Sequence, residues 1–366
     1  LAIAESNRYF LRRLALLTKV LIKVLSLNPN RRVLARVKTP VPFPRCCFRP
    51  FIPRHKTGEK IVTFKIQELS IDPKKLLGLS EGLVRSHHQN NYGGAVKRLG
   101  AIQGELAKLD WSTAPVFQVN GLKREELIAT NSVVLHELHF RCLGGEGQAM
   151  VPALALALAA SFGSVERWRE EFVAMGKALG GGSGWVLLTF QPRDGTLVNQ
   201  WAADHTQALA GGIPILALDM YEHAYQLDFG AKAGDYVDAF MANIAWDAVY
   251  TGYQHAVHGA SQAFAAGQDD ATAAVLIDVR RAGMFEQASN MIPGAIWRDP
   301  AKVGDWAADL PADREIIVYC VFGHEVSRAT AMRLRGHGLN ARYMTGGIDA
   351  WQKAGRPLIA NPLSVI

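Results

Sequence analysis

The chain has 366 residues, 49% of them hydrophobic and 20% charged, with a formal net charge of +7. This length predicts two domains and an extension, with enough apolar residues to bury real cores. Residues 1–58 hold thirteen Lys or Arg against Glu5 alone, a net of +12 that leaves −5 for the rest, so a basic nucleic-acid footprint on the folded part is excluded.

In chain order, the first candidate element is an apolar stretch from Phe10 to Leu27 interrupted by Arg12, Arg13, Lys19 and Lys23, with the look of a basic amphipathic helix. Pro40, Pro42, Pro44, Pro50 and Pro53 then break regular structure. This stretch reads either as a targeting or membrane-surface segment or as an extension without chemistry. The cysteines, Cys46, Cys47, Cys142 and Cys320, are too few and too irregular for a disulfide framework. No run of 18 uncharged apolar residues predicts a transmembrane segment. A cytoplasmic location is expected, with residues 1–58 keeping an organelle destination open.

From about Gly58 to Ala260, helices are predicted over Gly82–Gln103, Ala129–Cys142, Ser164–Gly176 and Ala231–Ala256. Strands are predicted over Ser183–Pro192 and Leu197–Ala203, around a turn at Arg193–Gly195, and over Ile213–Leu218. The order is α+β. Residues 261–273, rich in Ser, Gln, Ala, Gly and Asp, read as a linker. Beyond it, strands at Val275–Val279, Ile316–Tyr319 and Ala341–Met344 and helices at Glu325–Gly336 and Ile348–Ala354 predict a small α/β domain, residues 274–366, with a mainly parallel sheet.

The sharpest local signal is Asp219-Met220-Tyr221-Glu222-His223, directly after an apolar strand. An Asp and a His four apart share a face if the chain has turned helical. A strand-to-helix bend would also bring both to one point. Imidazoles with a carboxylate and no thiolate suit Mn, Fe or Zn.

Gly180-Gly181-Gly182-Ser183-Gly184-Trp185, followed by Asp219 through His223-Ala224-Tyr225, resembles the iron/manganese superoxide dismutases. The similarity spans roughly residues 59–255, including Ser161-Phe162-Gly163-Ser164. It implies a helical hairpin over residues 59–145, then a small antiparallel sheet with helices over 146–260. The segments Leu79-Ser80 through Ser86-His87 and Ala95 through Leu99 match the surroundings of the first ligand, which puts it at His87, beside His88. Leu135-His136-Glu137-Leu138-His139-Phe140 matches the second, at His136; the third and fourth fall on Asp219 and His223. The resemblance implies one Fe or Mn ion per subunit, superoxide as substrate and antioxidant oxidoreductase chemistry. It makes His205 the partner of a metal-bound water and His139 and Tyr221 supporting residues. It also implies a homodimer with Glu222 and Tyr225 at the contact. The sequence departs from the family at the substrate gateway, where Asn91, Ala95 and Gln226 replace a His and two Tyr, and Tyr221 replaces a Trp. Asn and Gln hydrogen bond without titrating, and Ala transfers no proton.

Cys320 ends a predicted strand and opens a loop running into a helix N-terminus, where backbone N–H groups favour a thiolate. Leu276-Ile277-Asp278-Val279-Arg280, Ile292-Pro293-Gly294-Ala295, Tyr319-Cys320 with Gly323, and Gly346-Gly347-Ile348 with Ala350-Trp351 resemble a rhodanese-like sulfurtransferase domain over about 270–358. The resemblance implies that Cys320 takes sulfur from a small sulfane donor as a persulfide and passes it to a thiol acceptor, with Asp278 and Arg280 bracing the site. His324 and Glu325 depart from simpler members, and Glu325 weakens attraction for an anionic donor. Arg328 lies too late in the chain for a phosphatase loop. Three functions remain open: a dismutase fused to a sulfurtransferase, a metal-binding module whose catalysis is sulfur transfer at Cys320, and a redox or metal sensor.

Overall fold

Ser80 begins the first helix by accepting the Leu83 N–H, and its own hydroxyl donates to Asp228. In the computed structural model, residues 64–362 are described; the predicted basic helix, the prolines after it, Cys46 and Cys47 lie outside the described residues. Helix α1 (Glu81–Ser86) passes through a π-helical segment, His87–Tyr92, into α2 (Gly93–Lys108). The wider turn interrupts the α-helical register at the first expected ligand, a common place for such insertions.

Helix α3 (Val116–Arg141) returns antiparallel to α2 and begins thirteen residues before the predicted start at Ala129. Its first half is largely exposed and carries Lys123-Arg124-Glu125-Glu126, so little apolar periodicity marks it. Helix α4 (Pro152–Phe162) was not predicted; its run of Ala and Leu has no polar face. Helix α5 (Val165–Ala178) follows, capped by Ser164.

Strands β1 (Trp185–Gln191), β2 (Thr196–Ala202) and β3 (Ile213–Asp219) form an antiparallel sheet in the order β2-β1-β3. The predicted helix Ala231–Ala256 is two, α6 (Ala233–Ala242) and α7 (Trp246–Ser261). The break follows from Asn243, fully buried, whose amide donates to the carbonyls of Leu77 and Ala239 and accepts the Leu77 N–H. The Asn243 carbonyl also accepts the Gly144 and Gly145 N–H groups and the Ala245 N–H donates to the Cys142 carbonyl, bonds that a continuous helix would have to give up.

The stretch read as a linker is ordered: Ala265–Ala266 forms an edge strand, β4. With β5 (Val275–Asp278), β6 (Ile296–Trp297), β7 (Ile316–Tyr319) and β8 (Ala341–Met344) it builds a parallel sheet in the order β4-β8-β7-β5-β6. β4 is only two residues long, too short to give an alternating pattern in sequence. Helices α8 (Glu325–Gly336) and α9 (Gly347–Lys353) follow β7 and β8.

The larger core joins α1–α7 with the first sheet, and Trp168, Phe172, Trp185 and Phe240 are among its buried side chains. Each such residue contributes about 1.5–3 kcal/mol through apolar burial. Ala329 and Met332 of α8 belong to this same cluster, so the C-terminal part is packed into the N-terminal core. No helix among the described residues is long and apolar enough to cross a membrane.

Candidate metal centre and cysteine pocket

The register of the first sheet builds the metal centre. Trp185 pairs with Asp219 across β1 and β3, and the Met220 N–H donates to the Gly184 carbonyl. Gly184 has φ +141°, and a side chain there would begin 2.2 Å from the Ala202 carbonyl oxygen. The Gly-Trp pair of the motif thus has a steric reason: only glycine lets Trp185 start the strand beside Asp219.

Asp219 is the last residue of β3, and His223 lies in a 3₁₀ turn, Glu222–Ala224. The strand-to-turn bend, and not a shared helical face, brings the two together. Asp219 Oδ1 accepts the Tyr221 N–H at 2.9 Å, which leaves Oδ2 turned toward the imidazoles. His87, His136 and His223 place Nε2 at 3.0, 3.4 and 3.3 Å from that oxygen. One ligand atom from each of the four residues lies within 4.8 Å of the others.

The donor set fits a cation. His136 Nδ1 donates to the Ser132 carbonyl at 2.6 Å, and a carbonyl can only accept. Neutral His136 therefore presents a lone pair at Nε2, which faces the carboxylate and, at 3.4 Å, Nε2 of His223. Burial lowers the pKa of His87, and that of His136 to about 3, so protonation is disfavoured as a way to relieve these contacts. Burial alone would raise Asp219, but His223 and His87 outweigh it and hold the carboxyl well below its usual range. Lone pairs and a carboxylate oxygen converging in a buried space suit a divalent or trivalent ion.

The surrounding residues fix the ligands. His139, one turn after His136, donates Nδ1–H to the Ala217 carbonyl at 3.1 Å, stacks on Phe240 and packs 5.1 Å from the His87 ring. Burial takes its pKa to about 3. His88, next to the first ligand, is turned to the Gln67 carbonyl. Trp185 Nε1 donates to His205 Nδ1 at 3.0 Å, and Tyr221 stacks between His205 and His223 at 4.8 and 5.5 Å. Burial, with Asp204 and Asp219 nearby, pushes the Tyr221 hydroxyl up to about 12.

A cavity of about 300 Å³ reaches His136, His205 and His223, and Asn90, Asn91, Ala95, Arg98 and Ser132 also line it. Asn91 and Ala95, expected at a gateway, both line this cavity, whereas Gln226 is exposed and is not among the lining residues. Tyr92 is directed elsewhere, accepting the Gln67 N–H and donating to Glu137. Glu222 is exposed beside His223. Tyr225, expected at a subunit contact with it, is instead 3% exposed and packs on Tyr236 of its own chain, because the turn after His223 directs it into the core. The sequence reading gave no role to Trp185 as a donor, to Arg98 or to the Ser132 carbonyl; only the Gly-Trp motif pointed to the first.

In the second sheet, Cys320 follows β7 and is 6% exposed, its Sγ 3.2 Å from Ser327 Oγ. Gly347 has φ +57°, and a side chain there would start 2.3 Å from the Cys320 carbonyl, so the Gly-Gly motif lets α9 pack directly on the cysteine loop. Arg280 forms a buried bidentate ion pair with Asp278 and also donates to the Asn290 carbonyl. Arg328 donates to the Gly323 carbonyl and lies over the Tyr343 ring. A cavity of about 260 Å³ contains Cys320, His324, Glu325, Arg280 and Arg281 in its lining. Gly323 has φ +69° within the loop.

Residues 150–251 match the family described as iron/manganese superoxide dismutases, C-terminal domain, and residues 261–354 match the rhodanese-like domain. The chain is 63% identical over 194 residues to a superoxide dismutase (Fe) of Cupriavidus metallidurans, covering 53% of this chain and 98% of that one. It is 33% identical over 195 residues to a superoxide dismutase (Fe) of Aquifex pyrophilus, covering 51% and 90%. It is 34% identical over 181 residues to superoxide dismutase (Mn) 2 of Haloferax volcanii, covering 49% and 89%. With the four-ligand cluster in place and almost the full length of these relatives matched, the chain belongs to the iron/manganese superoxide dismutase family and carries a rhodanese-like domain at its C-terminal end.

Proposed function

We propose that this protein dismutates superoxide at one iron or manganese ion held by His87, His136, Asp219 and His223. The observation that carries this reading is the convergence of four ligand atoms within 4.8 Å, two of them, from His136 and His223, on residues that line a cavity of about 300 Å³. Bound there, iron or manganese supplies alternating one-electron chemistry, oxidising one superoxide to dioxygen and reducing a second to peroxide.

The chain's own residues do the rest. Arg98 offers positive charge in the cavity lining, although Glu125 pairs with it. His205 receives the Trp185 N–H at Nδ1, so neutral His205 carries its proton on Nε2 and can donate it toward the cavity. Burial lowers the pKa of His205, against the pull of Asp219 and Asp204, and favours this neutral donor form. Tyr221 holds the His205 and His223 rings in parallel. Glu222 lies open beside the ligand His223 and is the residue through which a second subunit would join the site.

Superoxide turnover of metal-quantified wild type and His223→Ala protein tests the reading. Turnover that follows metal content, with loss of both in the variant, is the expected result. Absence of metal-dependent turnover sinks the dismutase reading, and full metal occupancy in His223→Ala sinks the ligand assignment.

One observation favours slower turnover at the same centre. At the gateway, Asn91 and Ala95 stand beside the cavity with no tyrosine among its lining residues, which leaves His205 as the nearby proton donor that is not a ligand. In that second reading the main catalysis is sulfur transfer at Cys320, tested by persulfide formation in wild type and its loss in Cys320→Ser.

A further inference from the structure

The cysteine pocket is not a property of the rhodanese-like domain alone. Val151, Pro152 and Ala153, at the start of α4, and Tyr250, on α7, line the same cavity of about 260 Å³ as Cys320. All four belong to the dismutase part of the chain. From the other side come Val321, Phe322, His324, Glu325 and Val326 of the cysteine loop and Arg281 with Met284.

Glu325 links the two sides. It is 5% exposed, and its carboxylate accepts the Tyr250 hydroxyl at 2.6 Å and the Gln254 amide at 3.3 Å. Tyr250 and Gln254 are one turn apart on α7, so one helix face grips both oxygens. The acid expected to repel an anionic donor is thereby occupied by two donors from the neighbouring domain. Burial, reinforced by the Glu325 carboxylate, raises the Tyr250 hydroxyl above its ordinary range and keeps it a donor. Arg281 has no ion-pair partner among the described residues.

We propose that the dismutase part completes the Cys320 site: α4 and Tyr250 form its outer wall, and the grip of Tyr250 and Gln254 on Glu325 positions the cysteine loop, so that the pocket admits small anionic persulfides with an apolar body. This rests on the sulfur-transfer reading of Cys320 given above. The cavity volume lies just below the usual range for ligand sites, which suits a low-molecular-weight donor. Arg281 and His324 supply positive or hydrogen-bonding groups, and Val151, Pro152, Met284 and Phe322 supply apolar surface. The step balances without a further reagent. The Cys320 thiolate attacks the terminal sulfur of R–S–SH; a new S–S bond forms at Cys320, the donor S–S bond breaks, and its electron pair leaves on RS⁻. The terminal proton remains on the transferred sulfur. Tyr250, Gln254 and Glu325 act here as positioning residues.

The test uses the full chain with 3-mercaptopropionate persulfide as donor and cyanide as the sulfur acceptor for turnover, and in a separate assay iodoacetamide as a neutral probe, following the Cys320 peptide by mass spectrometry. Pro152 is an exposed member of the wall, so Pro152→Trp narrows the mouth without entering a core. The expected result is a donor KM raised about tenfold with kcat nearly unchanged, and a parallel slowing of Cys320 alkylation. Glu325→Gln keeps an acceptor oxygen for Tyr250 and is expected to stay within about threefold of wild-type sulfur uptake, whereas Glu325→Ala loses about tenfold. Metal content serves as the folding control for every variant. Unchanged KM and alkylation in Pro152→Trp overturn the shared wall, and equal losses in the two Glu325 variants overturn the positioning role. If Cys320 alkylation slows in Pro152→Trp but wild type takes up no sulfur, the shared pocket stands and the sulfur-transfer reading falls.

Discussion

The indole N–H of Trp185 donates to Nδ1 of His205 at 3.0 Å, and that single bond decides which imidazole nitrogen keeps its proton. With Nδ1 occupied as an acceptor, Nε2 is the donor available to the metal cavity. Trp185→Phe keeps an aromatic ring against His136 but removes the donor. Superoxide turnover is expected to fall roughly 10–100-fold at unchanged metal content, the usual effect of losing an outer hydrogen bond to a metal site. Rapid-mixing measurement on metal-quantified protein checks this, and undiminished turnover would remove His205 from the mechanism.

Metal removal should cost stability, because the buried Asp219 carboxylate and the lone pairs around it then face one another uncompensated. Free ion at about 1,000 times Kd stabilises the folded state by roughly 4 kcal/mol, on the order of 10 °C in Tm for this size of domain. Chelation is expected to lower the calorimetric Tm and reloading to restore it, with His223→Ala showing much less of either change. A wild-type Tm indifferent to chelator would argue that no ion had been bound at the cluster.

What the sequence made legible follows physical rules that differ along the chain. The Asp219–His223 spacing and the three strands were readable because a buried strand followed by a turn leaves an apolar run and a sharp polar break. His87 and His136 were not readable from spacing: they lie on separate helices, and only the resemblance tied them to Asp219. The edge strand at 265–266 was too short to carry a pattern. Helix α4 lost its helical period for a different reason: it is covered on two sides. Leu154 and Leu158 face the larger core, while the carbonyls of Ala157 and Ala160 meet Arg333 of α8. Glu325 read as a repulsive charge because Tyr250 and Gln254, which hold it, are more than seventy residues away.

Cys142 offers a pH test separate from both sites. Its thiol is fully buried, donates to the Ile215 carbonyl at 3.5 Å, and is pushed up to about 12 by burial. An unfolded cysteine titrates near 8.5. The folded value is the higher one, so the unfolded state loses its proton first. Stability from this group is complete below about pH 8.5 and is lost as pH rises toward 12, at up to about 1.4 kcal/mol per pH unit. Urea unfolding of Cys142→Ala at several alkaline pH values should show a shallower decline than wild type. Identical slopes would mean that Cys142 ionises in the folded protein. Native alkylation at pH 8 should correspondingly leave Cys142 unlabelled.

Arg333 provides the strongest test of whether the two halves unfold as one. This residue, 8% exposed on α8, donates through its guanidinium to the carbonyls of Ala160 and Ala157 and to Ser161 Oγ at the end of α4. Carbonyls in the last turn of a helix lack intrahelical donors and carry its negative dipole end, so a cation there satisfies both needs. Arg333→Met preserves most of the aliphatic packing but leaves the Ala160 carbonyl without its donor, whereas the Ala157 carbonyl keeps the Ser161 hydroxyl and Ser161 Oγ keeps the Leu197 N–H. Hydrogen bonds to a charged group contribute about 1.5–3 kcal/mol each, less where geometry is long, as it is for Ala157. The loss falls on the contact between the halves and not on either sheet. Calorimetry is therefore expected to replace one transition with two, the rhodanese-like part melting first, while metal content stays unchanged. A single transition at the wild-type midpoint would mean that the shared apolar cluster of Ala329 and Met332 couples the halves without Arg333.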